Sequence, residues 1–136
     1  MHLAATWLAL EDVEEGTGEL EYYVGSHRTP EYLFGTSKWM EHEPDQHAAF
    51  LQSLDDDAVK YGHPRRSFLP KKGDLLIWHA DLAHGGAAIK KPGRTRKSLV
   101  THFTAESDEP YYRRGGKHLE LVMDTCVFVS QYTDVG

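Results

Sequence analysis

The sequence predicts a mainly β protein, an antiparallel sandwich or barrel that carries one added helix. Three observations lead there. Leu20–Val24 and Lys97–Thr104 alternate in character from residue to residue, which is the period of a strand. Leu75-Leu76-Ile77-Trp78 is a short apolar run bounded by turn residues. Only one stretch has helical spacing: Ala48, Phe50, Leu51, Leu54, Ala58 and Val59 recur at intervals of three and four.

Taken in chain order, residues 3–10 are apolar and too short for a free-standing helix, so they are expected to form a strand. Ala5, Trp7 and Ala9 share one face, and Thr6, Leu8 and Leu10 the other. Both faces are mostly apolar, and burial on both sides is expected. A turn around Gly16-Thr17-Gly18 leads to the second strand, Leu20–Val24. Gly25 to Glu43, with Pro30 and Gly35, is expected to be a long loop. Pro44-Asp45 opens a helix of about four turns, and Gly62 and Pro64 stop it. Phe68-Leu69 forms a short strand before the turn Pro70–Gly73, and Asp74–His79 a strong, buried one. A loop through Gly85-Gly86 and Lys90-Lys91-Pro92-Gly93 precedes the strand Lys97–Thr104. Tyr111 to Lys117 is a polar, basic patch that fits an exposed segment, and Leu119–Val129 is compatible with either element type.

The 136 residues are 40% hydrophobic and 26% charged, which fits one globular domain over 1–136 and excludes a disordered chain. A formal charge of −6 supplies no basic footprint for nucleic acid. No apolar run reaches the length of a membrane span and the first residues lack a leader pattern, so the expected location is the cytoplasm. Cys126 is the single cysteine, which excludes an intrachain disulfide. Nine histidines point towards a metal.

Gly73 to Gly86 is the most informative stretch. It delivers His84 to the end of a strand beside two glycines that permit close approach by another group. Arg96 opens the following strand twelve residues later. A hairpin from His84 to Arg96 would bring imidazole and guanidinium into one cavity. An imidazole suits a divalent transition metal and an arginine fork suits a carboxylate, so the pair describes a metal plus a carboxylate-bearing ligand.

Three blocks resemble the central part of the phytanoyl-CoA dioxygenase family, in order, over about residues 3–106. The first runs from Trp7-Leu8-Ala9-Leu10-Glu11-Asp12 through Gly16–Leu20 to Val24-Gly25-Ser26-His27-Arg28. The second is Gly73–His79 with His84-Gly85-Gly86, and the third is Thr95-Arg96-Lys97 through Phe103. The resemblance implies a double-stranded β-helix, a jelly-roll or cupin-like barrel. It also implies an oxidoreductase that uses Fe(II) and 2-oxoglutarate on a small organic substrate. His84 matches the second histidine of the iron triad, Arg96 the arginine that pairs with the far carboxylate of 2-oxoglutarate, and Trp7 a tryptophan lining the same pocket. Gly86 stands where many members carry a serine.

The His-x-Asp pair that the family places upstream has no match, since only six residues precede Trp7 and His2 is followed by Leu3 and Ala4. The expectation is a C-terminal half of the dioxygenase, a partial β-helix in truncated or inactive form. His79-Ala80-Asp81 with His84 offers a substitute triad only if the strand bulges, because His79 and His84 are an odd number apart. His118-Leu119-Glu120 is a second His-x-carboxylate pair. Asp45 serves the helix dipole, with His42 and His47 solvated. His27, His63 and His102 are assigned to structure or surface, and Arg94, Lys97, Lys90 and Lys91 to surface charge. The alternatives are a non-catalytic carboxylate-binding module, or a homo-oligomer in which a second copy covers exposed strand edges.

Overall fold

A computed structural model of the chain describes residues 3–37, 44–105, 119–123 and 126–130. Among the described residues, eight strands and one α-helix follow in the order β1 (Leu3–Ala9), β2 (Leu20–Tyr23), α1 (Pro44–Tyr61), β3 (Arg65–Phe68), β4 (Leu75–His79), β5 (His84–Gly86), β6 (Ser98–Thr104), β7 (Leu119–Met123) and β8 (Cys126–Ser130). Leu3–Phe103 form one compact unit, and β7 and β8 belong to another. In the second unit β7 and β8 pair antiparallel from Leu119↔Ser130 to Met123↔Cys126, which resolves the type of a segment whose sequence allowed either.

The larger unit holds two three-stranded sheets, in the orders β4-β1-β6 and β3-β2-β5. β1 and β4 run antiparallel with Ala5 opposite Trp78 and Trp7 opposite Leu76. β2 is the centre of the second sheet, with Leu20 opposite both Phe68 and Gly86 and Tyr22 opposite His84. The buried cluster draws on both sheets: Ala5, Trp7, Ala9 and Trp78 from the first, Leu20 from the second, with Phe68, Leu76 and Leu82 packed against it. The small side chains of Ala5 and Ala9 leave room on either side of the Trp7 indole, which is only 2% exposed. Phe68 meets that indole edge-on at 5.7 Å, the arrangement favoured by aromatic quadrupoles.

β1 and β2 belong to different sheets, and the connection between them crosses from one to the other. Gly16 and Gly18 take positive φ angles of 82° and 87°, open to glycine at little cost. A Cβ at Gly18 would lie 3.2 Å from Ile89. The buried Glu19 carboxylate accepts the Gly16 N–H at 2.9 Å, and the Gly16 carbonyl accepts the N–H groups of Lys90 and Lys91.

The start and stop of α1 follow the sequence signals. At its end the His63 N–H donates to Ala58 and the Gly62 N–H to Val59, a Schellman closure made possible by the positive φ of Gly62. The burial of α1 differs from expectation. Phe50 and Leu54 are half-buried and Ala58 buried, whereas Ala48 and Leu51 are exposed and Val59 is 85% exposed. A sheet of strands three or four residues long offers partners to one narrow stripe at four-residue spacing. Phe50 packs with Tyr32 and Phe34, and the Tyr23 hydroxyl, on the face of β2 opposite Leu20, donates to Asp55.

Two strands also differ from expectation. β1 buries only its Ala5-Trp7-Ala9 face, with Thr6 and Leu8 half-exposed. β4 buries Trp78 alone, leaving Leu75 exposed and Ile77 65% exposed. The apolar run is continuous in sequence, but the core lies on one side of this sheet. Leu99 and Phe103 of β6 are exposed as well.

Removing the central indole in Trp7→Ala is expected to cost about 3–5 kcal/mol in urea denaturation, as other large-to-small core changes do. A loss below about 1 kcal/mol would contradict its central place. Asp55, by accepting from Tyr23, raises the phenol's pKa above its ordinary value. This tie is therefore intact below that ordinary value and lost as pH rises through the raised one. Tyr23→Phe is expected to lower stability by at most about 1 kcal/mol at neutral pH. It should also flatten the alkaline limb of a melting-temperature profile, and an unchanged limb would contradict the tie.

Candidate active site

His84 is placed by the turn after β4. The Ala80 N–H donates to Leu3, the Leu82 N–H to His79 and the Ala83 N–H to the Ser26 hydroxyl. Ala83 in turn accepts the Tyr23 N–H, so the chain passes from the first sheet onto the edge of the second. There the His84 ring rests against Trp78, with centroids 5.2 Å apart, and its Nδ1 lies 2.7 Å from the Leu82 carbonyl. A carbonyl can only accept, so Nδ1–H is the donor, and in the neutral form of this exposed imidazole the lone pair lies on Nε2. A Cβ at Gly86 would meet nothing nearer than 3.9 Å, so the position has room for the family's serine.

Arg96 lies just before β6 and is half-buried. Its guanidinium carbon is 5.5 Å from the centroid of Trp7, a cation–π placement. Among the described residues no carboxylate forms an ion pair with it. Its neighbours are differently placed: Arg94 and Lys91 both pair with Glu14, at 2.7 and 3.1 Å.

The expected hairpin from His84 to Arg96 is not formed. β5 pairs with β2, while β6 pairs with β1 in the other sheet. The Gly16 carbonyl and Glu14 draw Lys90–Arg94 across to the β1–β2 connection, which carries the chain between sheets. Arg96 and His84 thus reach one aromatic core from opposite sheets. Trp7 and Trp78 project from the same face of the β1–β4 ladder, Arg96 lying on the first and His84 on the second. A groove of about 380 Å³ opens between α1 and the second sheet, lined by Tyr22, Leu51, Leu54, Arg65 and His84. Arg65 is already paired with Glu21.

No three histidine, cysteine, aspartate or glutamate side chains among the described residues are grouped to hold a metal ion. The substitute triad is not assembled: His79 accepts the Asp81 N–H at Nδ1 and packs against His27. His63 bonds to Thr29 through Nε2, and Asp45 lies in the first turn of α1, in keeping with their structural assignments. His42, His118 and the basic patch Tyr111–Lys117 lie outside the described residues, as does the Glu120 side chain. Fe(II) bound by a facial triad needs two imidazoles and a carboxylate, and the described residues bring one imidazole. They do not complete that site.

Sequence reasoning passed over the acidic connection that holds the Arg96 segment. Glu11 accepts the Thr95 hydroxyl and the Lys97 N–H, both at 2.7 Å, and Asp12 accepts the Lys72 N–H and Lys71 Nζ. The signal was there in opposite charge, three acids in residues 11–14 facing the basic runs at 71–72 and 90–97. The Thr95 hydroxyl and then the Lys97 N–H hold the Glu11 carboxyl below its ordinary value. The Lys72 N–H does the same for Asp12, and Lys91 followed by Arg94 for Glu14.

The chain is thus a mainly β protein of antiparallel sheets, with a histidine and an arginine lying on one tryptophan-lined core. The phytanoyl-CoA dioxygenase family model matches residues 1–98, and the chain belongs to that family. It is 25% identical over 129 residues to the peroxisomal phytanoyl-CoA dioxygenase of Rattus norvegicus, covering 95% of this chain and 36% of the relative. Among solved structures it is similar to SnoK, a non-heme alpha-ketoglutarate-dependent carbocyclase from nogalamycin biosynthesis. That similarity has 21% identity and a TM-score of 0.45 over 74% of this chain and 35% of SnoK. The chain spans about a third of the length of each. No helix among the described residues is long and apolar enough to cross a membrane.

Glu11, Asp12 and Glu14 have lowered pKa values, so each stabilises the fold above the ordinary carboxylate value, and that contribution is lost as pH falls through the lowered one. Melting temperature is expected to fall between about pH 5 and pH 3. The decline should be shallower in Glu14→Gln; parallel profiles for the two proteins would refute the role of Glu14.

Proposed function

We propose that the chain is the cosubstrate-binding part of an Fe(II)- and 2-oxoglutarate-dependent dioxygenase, built on the double-stranded β-helix that its family resemblance implies. Arg96 receives the far carboxylate of 2-oxoglutarate, and His84 offers Nε2 as one iron ligand. The observation that carries this reading is the state of Arg96. Its guanidinium lies on an indole without an ion-pair partner among the described residues, while Arg94 and Lys91 are held by Glu14. A planar fork against an apolar wall favours a carboxylate held by two parallel hydrogen bonds, and the low local dielectric strengthens them. Trp7 lies beneath the fork, and Trp78 supports the imidazole whose tautomer Leu82 sets. The groove beside His84 has the size of a small organic substrate.

A second reading, a metal-independent carboxylate-binding module, is favoured by the lack of any three grouped metal-ligating side chains among the described residues. Anaerobic calorimetric titration with 2-oxoglutarate, with and without Fe(II), separates the two. Arg96→Ala is expected to weaken binding at least about 30-fold in either case, because it removes the charged partner of a carboxylate. His84→Ala is expected to weaken binding only when Fe(II) is present. If His84→Ala has no effect in either condition, the module reading replaces the dioxygenase reading. If Arg96→Ala binds like the wild type, both fail.

A further inference from the structure

We infer that Glu11 is a positioning residue for Arg96: a single carboxylate oxygen grips the chain on both sides of the arginine and holds its side chain over Trp7. Glu11 Oε1 accepts the Thr95 hydroxyl and the Lys97 N–H, each at 2.7 Å, and these are the two residues that flank Arg96. The grip falls where regular structure is missing. β6 begins at Ser98, and the preceding residues 94–97 belong to no strand. A backbone bond ties this stretch to the residue after β1, the Leu10 N–H donating to Lys97. Upstream, Gly93 has a positive φ of 78°, so the chain enters the segment from a turn.

Arginine has many rotamers, and a guanidinium that must meet a planar carboxylate depends on where its own backbone is held. The Thr95 hydroxyl before Arg96 and the Lys97 N–H after it are both held by Glu11, while the Arg96 guanidinium between them lies over the Trp7 indole. Glu11 holds the peptide around Arg96, and among the described residues no carboxylate forms an ion pair with the Arg96 guanidinium. Glu14, tied to Lys91 and Arg94, anchors the turn before this segment but does not touch the residues beside Arg96.

The ligand arm of the test rests on the assignment of Arg96 to the far carboxylate, and a second arm does not. Wild type, Glu11→Ala, Glu11→Gln, Thr95→Val and Arg96→Ala are compared in the same chain. The first readout is the Trp7 indole N–H resonance, assigned with Trp7→Phe, which reports whether a guanidinium lies on that ring. The second is the preference for 2-oxoglutarate over 2-oxobutyrate, which lacks the far carboxylate. Glu11→Ala is expected to move the Trp7 resonance towards its position in Arg96→Ala and to reduce the preference about tenfold, the scale of hydrogen bonds to a charged group. Glu11→Gln is expected to resemble wild type, because the amide oxygen accepts the same two bonds. Thr95→Val, which removes one bond, is expected to fall between, and it carries the test if Glu11→Ala does not fold. Wild-type behaviour of both readouts in Glu11→Ala or Thr95→Val overturns the inference, as does Glu11→Gln proving as damaging as Glu11→Ala. Should no variant, wild type included, bind 2-oxoglutarate while the Trp7 resonance still follows Glu11, the positioning role stands and the cosubstrate reading fails. Should Arg96→Ala abolish binding while Glu11→Ala keeps the wild-type preference and the wild-type Trp7 resonance, the reverse holds.

Discussion

The arrangement depends on the burial of Trp7. Its indole lies between two alanines of its own strand, meets Phe68 of the opposite sheet edge-on, and carries Arg96 on its face. One side chain therefore joins the sheets and forms the surface on which a charge is displayed. A cation there has an apolar body beneath it and a half-open side above, where an anion gains from incomplete solvation. Trp78 repeats the arrangement for a ring that can donate a lone pair. The core and the site are consequently two sides of the same aromatic layer.

Around that layer, charge is distributed unevenly. Glu14 holds two cations, Asp12 a third and Glu21 a fourth, and all four pairs are at the surface, where each contributes little to stability. Their effect is on geometry: they fix loops that have no ladder of their own. The β1–β2 connection is the centre of this, with the Gly16 carbonyl and the carboxylates of residues 11, 12, 14 and 19 all turned on neighbouring backbone or side chains.

Much of this was legible in the sequence, for reasons that differ by element. Gly62 stops α1 because only its backbone adopts the closing turn cheaply, and composition alone reveals that. The strands around Trp78 and Thr101 were bounded to within a residue by their flanking turns. Pairing was another matter. Nothing in the run from His84 to Arg96 shows that its two ends join different sheets, because the force that separates them comes from Gly16 and Glu14, some seventy to eighty residues away. Exposure was misjudged at Ile77 and Val59 for a related reason: periodicity tells which residues share a face, and only the tertiary partner decides whether that face is covered. Arg96 was singled out by its spacing from His84 and by resemblance, while Glu11 looked like one acid among several until its oxygen was placed between Thr95 and Lys97.

The antiparallel pairing of β1 with β4 acts as a ruler. Trp7 faces Leu76 and Ala5 faces Trp78, so the two indoles are offset by one pleat of the ladder, and the groups they carry inherit that spacing from strand register. Lengthening a surface loop leaves such a spacing alone. Slipping β4 by a single residue would turn Trp78 to the outer face and bring Ile77 in, removing the support of the imidazole while the arginine kept its own. Variation among relatives in the intervening turns is therefore compatible with one fixed site geometry, whereas an insertion or deletion inside either strand is not.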